Sequence, residues 1–138
     1  RQTMKSLFFI SIILLSLYAG NMDAQTLEPY TVEQNKDSLF HKTINYLQKN
    51  QYFIDCIDAE SGFIKAKKYV KIEKLLSVTL GRRTELSIII QPVQENESSL
   101  SIRIYQATLE ENLYYHEEGI SEDNSLYQAI IRGILDTE

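Results

Sequence analysis

Two runs of alternating apolar and polar residues, separated by a short polar stretch, constrain this chain more than any other feature. Residues 85–93 place Leu86, Ile88 and Ile90 at every second position. Residues 100–109 do the same with Leu100, Ile102 and Ile104, while Ser101, Arg103 and Tyr105 fall between them. Successive side chains of a strand point to opposite faces, so each run has one side to bury and one to leave wet. The intervening Glu95–Ser99 is polar and suits a hairpin loop. The spacing predicts an antiparallel hairpin with a core on one side and an open face on the other.

Two further strands are predicted upstream. Tyr52–Asp58 alternates, with Ile54 and Cys56 on one face and Phe53, Asp55 and Ile57 on the other. Asp58–Gly62 reads as a turn, Gly62 supplying a positive φ. Phe63–Ile72 then places Ile64, Ala66 and Val70 on one face and Lys65, Lys67, Tyr69 and Lys71 on the other. Lys68 interrupts the apolar row, which predicts an edge or a bulge there. Helices bracket the strands. Thr31–Gln34 fits a capping box for a helix from Val32 to Asn50, with Leu39, Phe40, Ile44 and Leu47 on one stripe. Ser121 is expected to cap a last helix reaching Leu135, with Leu126, Ile130 and Ile134 in line. Ala129 and Gly133 are small enough for close packing. Residues 110–120 read as a loop, and residues 71–84 fit a loop, a helix or extended strands. The predicted fold is α+β, a four-stranded antiparallel sheet with two helices packed on one face. Its element order is α-β-β-β-β-α, a two-layer sandwich.

Residues 4–24 have the order of a secretory leader: Lys5, the apolar run Leu7–Leu17, then a small and polar exit ending at Ala24. The apolar run is 11 residues long, short of the about 20 that a bilayer-spanning helix needs. Cleavage near Ala24 is expected, with Ala19 or Gly20 as the second site, leaving a soluble periplasmic or extracellular product. Residues 1–3 precede the first Met and are set aside, and residues 25–138 are expected to form one domain. No Cys adjoins the expected cut, so no lipid anchor is expected. The formal net charge of −5 argues against a general nucleic-acid binder. Cys56 is the only cysteine, so no internal disulfide can form, and its alternating context predicts a small buried side chain.

The run Leu39-Phe-His-Lys-Thr-Ile-Asn-Tyr-Leu47, followed by Tyr52-Phe-Ile-Asp55 and Asp58-Ala-Glu-Ser-Gly-Phe-Ile-Lys65, resembles a known opening. A helix, a strand and a Ser-Gly-x-Ile turn also begin the domains of the NlpB (BamC-type) envelope proteins. The run is similar, too, to the TBP-like domains of small exported bacterial proteins. The hairpin at Glu85–Leu109 and the closing helix at Ser121–Leu135 fit the same order, so the resemblance spans nearly all of residues 25–138. The chain departs from NlpB in having no lipidation Cys and no second domain in view. The resemblance implies a non-enzymatic binding or scaffolding module of the cell envelope and offers no catalytic residue to carry over.

Reactive constellations are sparse. His41 belongs to the predicted surface of the first helix. His116 lies in Tyr114–Glu118, without the H-E-x-x-H spacing that sets two ligands on one helical face. No G-x-S-x-G elbow is present. Asp58-Ala-Glu60 begins like a calcium loop but lacks the later ligands. No catalytic residue, metal site or cofactor is expected. A small-ligand or metal-binding role for Tyr114–Glu118 stands second, and an enzyme third. Two surfaces are candidates. The first is a cationic segment, Lys65, Lys67, Lys68, Lys71, Lys74, Arg82 and Arg83, which holds half of the chain's 14 Lys and Arg. It flanks the apolar Ile72–Leu80 and is expected to meet anionic envelope material, either lipid headgroups or an acidic polymer. The alternative is that this connection folds onto the core. The second candidate is the open sheet face, where Phe53, Tyr69, Arg103 and Tyr105 stand with Lys65, Lys67 and Gln91. It suits a ligand, a glycan or a peptide, such as one from an envelope protein partner; the alternatives are an ordinary wet sheet surface or an interface with a second copy of the chain.

Overall fold

The computed structural model describes residues 28–138, so the leader expected at residues 4–24 and its cleavage site lie outside the described part. The predicted hairpin is its spine. Strand β4 (Thr79–Gln94) pairs antiparallel with β5 (Glu97–Glu110), setting Leu86 opposite Ile104, Ile88 opposite Ile102 and Ile90 opposite Leu100. All six side chains are at most 5 % exposed, each worth about 1.5–3 kcal/mol on burial before entropy is counted. The connection is a tight turn, since Gln94 already faces Glu97 across it. The hairpin therefore starts earlier and ends later than the apolar rows alone indicate.

Outside this pair lie β3 (Phe63–Lys71) and β2 (Phe53–Asp58), both antiparallel to their neighbours. The sheet has six strands rather than four. The first addition is β1 (Tyr30–Val32), which pairs with Ser98–Leu100 on the far edge of β5. Residues 30–32 thus extend the sheet instead of opening the helix. Helix α1 (Lys36–Lys49) is capped by Asn35, whose side chain accepts from the Ser38 N–H at 2.8 Å, and not by Thr31. The Val32 side chain is buried in the core, a role its β-branched shape suits. The second addition is β6 (Tyr115–Ile120), paired with β5 from Tyr105 to Leu109, where a loop was expected. A bulge near Gly119, whose φ is +84°, re-aims its end. Neither face of β6 lies over the core, so its sequence carries no apolar alternation to read.

A second bulge changes the reading of β2. Its register shifts between Ile54 and Cys56, so Ile54 faces Ala66, Cys56 faces Lys65 and Ile57 faces Ile64. Cys56 is therefore turned to the open face and is exposed, not buried. The irregularity expected at Lys68 lies on the neighbouring strand. At Lys68 itself β3 simply outruns β2, whose pairing stops at Lys67, and becomes an edge.

Both helices cover one face. Helix α1 contributes Leu39, Phe40 and Leu47, and α2 (Asn124–Leu135) contributes Tyr127, Ile130, Ile131 and Ile134, to a single cluster with the strand rows. The Thr43 hydroxyl, fully buried, donates to the Leu39 carbonyl at 2.8 Å, so it enters the core without an unmet hydrogen bond. The Tyr127 hydroxyl accepts from the Ile104 N–H at 3.2 Å, tying α2 to the sheet. Asp123 rather than Ser121 caps α2: its carboxylate accepts from the Ser125 N–H at 3.0 Å. The Ser125 hydroxyl contact, with those backbone bonds, holds the Asp123 carboxyl below its ordinary value. Close approach of the helices falls at Gly133, against the Tyr46 ring, while Ala129 is exposed. No member of the helix-side cluster on β3, β4 or β5 lies beyond Ala66, Leu86 or Ile104 towards the β3–β4 turn. Past that line the outer halves of β3, β4 and β5, joined by β6, continue as a ribbon.

Gly62 closes the β2–β3 turn at φ +76°, and its carbonyl accepts from the Ile90 N–H at 2.9 Å. A Cβ there would overlap the Ile90 carbonyl oxygen. Gly62→Ala combines backbone strain with a clash against main chain, and a loss of about 2–4 kcal/mol is expected in denaturant melts. A change below about 0.5 kcal/mol would show that the turn does not sit on β4 as described.

Candidate binding surfaces

Cross-strand register lays the open face out in rows. One row runs Cys56, Lys65, Ser87, Arg103, and the next, towards the ribbon, runs Phe53, Lys67, Glu85, Tyr105, Ile120. On the other side stand Phe63, Ile89 and Ser101. Phe53, Lys65, Lys67, Tyr69, Arg103 and Tyr105 thus share the helix-free face, as the alternation predicted. Phe53 and Tyr69 are more than half exposed.

The seven cations of residues 65–83 do not form one patch, because alternation and the length of the β3–β4 hairpin distribute them. Lys67 is held by Asp55 at 3.1 Å, and its ammonium lies 5.5 Å from the Phe53 ring centre. The Asp55 hydrogen bond raises its pKa above the ordinary lysine value. Lys68 points to the helix side, 5.5 Å from the Tyr52 ring centre. The Tyr52 hydroxyl pKa is pushed up to about 12, first by burial and then by neighbouring Tyr46. Arg83 is the most engaged. Its guanidinium donates to Glu117 at 2.6 Å and lies 5.0 Å from the Tyr115 ring centre, and Tyr69 packs edge-on against Tyr115 at 6.3 Å. Its buried Nε has no hydrogen-bond partner, the Glu85 carboxylate being 3.8 Å away. The Glu117 contact raises the Arg83 pKa further. Tyr69 and Arg83 therefore fasten β6 to the ribbon. Lys71 pairs with Glu73 at 3.0 Å in the open. Among the described residues Lys65, Lys74, Arg82 and Arg103 have no ion-pair partner.

Between the rows lies a shallow hollow of about 430 Å³, lined by Phe63, Ser87, Ile89, Ser101, Ile102, Arg103 and Tyr105. Ser87 and Ser101 are the short side chains among larger neighbours and form its floor. Two hydroxyls, a guanidinium and three apolar walls converge there. No carboxylate is in the lining, although the chain as a whole is acidic.

The ribbon ends in two turns. In the β3–β4 connection the Ile72 N–H donates to the Leu80 carbonyl at 2.9 Å, so the strands stay close almost to the tip. Leu75 is 96 % exposed, Leu76 98 % and Val78 67 %. The connection does not fold onto the core. Thr79 faces Glu110, which brings the β5–β6 turn to the same end, where Leu113 is 74 % and Tyr114 76 % exposed. Leu76 and Leu113 both hold left-handed backbone, at φ 66° and 64°. The first tip was legible as the apolar Ile72–Leu80. The second was missed, and its signal was the pair Leu113-Tyr114 inside an acidic stretch.

The reactive groups stay dispersed. His41 is exposed on α1. His116 lies on β6 facing Thr108, and strand alternation sends it and Glu117 to opposite faces, so residues 115–118 are strand rather than loop. Asp58 accepts from the Glu60 and Ser61 N–H groups at 3.0 and 3.3 Å, so its carboxylate closes a turn rather than starting a calcium loop. The Ser61 hydroxyl contact comes first among the interactions that lower its pKa. Among the described residues no three His, Cys, Asp or Glu side chains are grouped to hold a metal ion, and no helix is long and apolar enough to cross a membrane.

Glu117→Gln is expected to weaken the Arg83 fastening without unfolding the domain, because the pair is partly exposed and worth about 0–1 kcal/mol. Amide exchange should quicken in β6 while the β4–β5 core keeps its protection. Unchanged exchange in β6 would remove Arg83 from this role. Comparison with protein-family models and with curated proteins returns no match for this chain.

Proposed function

We propose that this chain is a non-enzymatic binding module of the bacterial cell envelope, holding an acidic segment of a partner protein on its helix-free sheet face. One observation carries the reading: a hollow with a free guanidinium, two serine hydroxyls and apolar walls, and no carboxylate, in an acidic chain. Arg103 suits a carboxylate bidentately, with Lys65 two strands over in the same row, beyond Ser87, and, among the described residues, no ion-pair partner for either. Phe63, Ile89 and Tyr105 would take the apolar side chains that alternate with acidic ones along an extended peptide. The leader-like residues 4–24 and the resemblance to NlpB-type and TBP-like exported domains support an envelope setting.

A second copy of the chain fits this face less well. A two-fold axis through the hollow would set Arg103 against its own image, and like charges repel there. Sedimentation velocity across concentrations is expected to show no self-association that Arg103→Glu alters.

Heteronuclear NMR titration tests the reading directly. A short peptide alternating Glu and Phe is expected to shift the amides of Ser87, Ser101 and Arg103. Its Gln-for-Glu counterpart should bind at least about tenfold more weakly, a difference of about 1.4 kcal/mol. Arg103→Glu should abolish the response with an unchanged melting curve. Equal binding of the two peptides, or none by either, would overturn the proposal.

A further inference from the structure

We infer that the paired turn tips of the ribbon insert into the headgroup region of a lipid bilayer, and that apolar burial rather than charge drives the insertion. This surface lies at the end of the ribbon and is separate from the sheet-face hollow. It stands on four large apolar side chains, Leu75, Leu76, Leu113 and Tyr114, each at least 74 % exposed and brought to one end by the Thr79–Glu110 register. Exposed apolar residues scattered singly need no explanation, but a cluster drawn from two separate hairpins does.

The backbone supports the same reading. A left-handed conformation disfavours branched side chains and usually falls to Gly or Asn. Here each tip spends that position on a leucine, Leu76 in one and Leu113 in the other. The strain has no counterpart in core packing, because both side chains project into solvent.

The order of residues away from each apex matches the depth profile of a bilayer. Leu75-Leu76 and Leu113-Tyr114 come first. Behind them lies a collar of mixed sign: Lys71, Lys74 and Arg82 with Glu73, Glu110 and Glu111. Three cations against three anions give no net attraction to an anionic surface, so the sequence-level expectation of an electrostatic contact gives way to an apolar one. A collar of both signs complements zwitterionic headgroups, and tyrosine is a residue of membrane–water interfaces. A protein groove would take the same apolar apices but gives no reason for the mixed collar.

The chain contains no Trp, so single substitutions report locally within the full chain, whatever residues 1–27 do. Leu75→Trp and Tyr114→Trp place a reporter on each tip, and Val93→Trp, 53 % exposed near the β4–β5 turn, is the remote control. With phosphatidylcholine vesicles, and with mixed phosphatidylcholine–phosphatidylglycerol vesicles, both tip reporters are expected to shift to the blue. Bromine-labelled acyl chains should quench them, and added salt should not reverse the effect. Val93→Trp should keep its aqueous emission. Leu75→Ser combined with Leu76→Ser should lower the vesicle partitioning seen by Tyr114→Trp about tenfold or more. Aqueous emission at both tips, a response confined to anionic vesicles and lost in salt, or an equal response at Val93→Trp would each overturn the inference.

Discussion

The burial of one face of the β4–β5 hairpin is the constraint on which everything else depends. Leu86, Ile88, Ile90, Leu100, Ile102 and Ile104 must be covered, and α1 and α2 cover them from the same side. One-sided burial has a direct consequence: the opposite face keeps its aromatic, cationic and hydroxyl side chains in water. The strands also run longer than the helices can cover. The excess becomes a ribbon whose stability comes from backbone pairing and from the Arg83–Glu117–Tyr115 cluster, not from a core.

This division separates structure from binding along the chain. Among the cations of residues 65–83, Lys67 and Arg83 are engaged in local pairs, and Lys68 lies over Tyr52 on the helix side. Among the described residues, Lys74 and Arg82 stand unpaired on the ribbon, while Lys65 and Arg103 stand unpaired in the middle of the sheet and the apolar tips lie exposed at its end. A count of charge along the sequence cannot make that distinction, because it depends on which partner lies across the strand. The same logic disperses the expected cationic segment, while the open face, the second expected surface, holds the hollow beside Arg103 and Tyr105.

What the sequence made legible follows from where burial is strong. The rows of β4 and β5, the facing of Lys65, Lys67, Tyr69, Arg103 and Tyr105, and the positive φ at Gly62 could all be read, because period-two burial or turn chemistry leaves a mark on each. The misses share a physical cause. β1 and β6 pair only with the edge of β5 and lack a complete apolar row. The β2 bulge reverses the facing of Cys56 through one extra residue, which no pattern of side chains announces. Asn35 and Asp123 displaced Thr31 and Ser121 as caps, since several capping residues stood close together and tertiary pairing chose among them.

Thiol reactivity of Cys56 in the native chain tests most directly whether this face is open. Cys56 is the only cysteine and sits on the helix-free side opposite Lys65. Labelling by a water-soluble disulfide reagent is expected at the rate of a free thiol, without denaturant and independent of protein concentration. A protected thiol that reacts only on unfolding would contradict it, because the face would then be covered or the bulge absent.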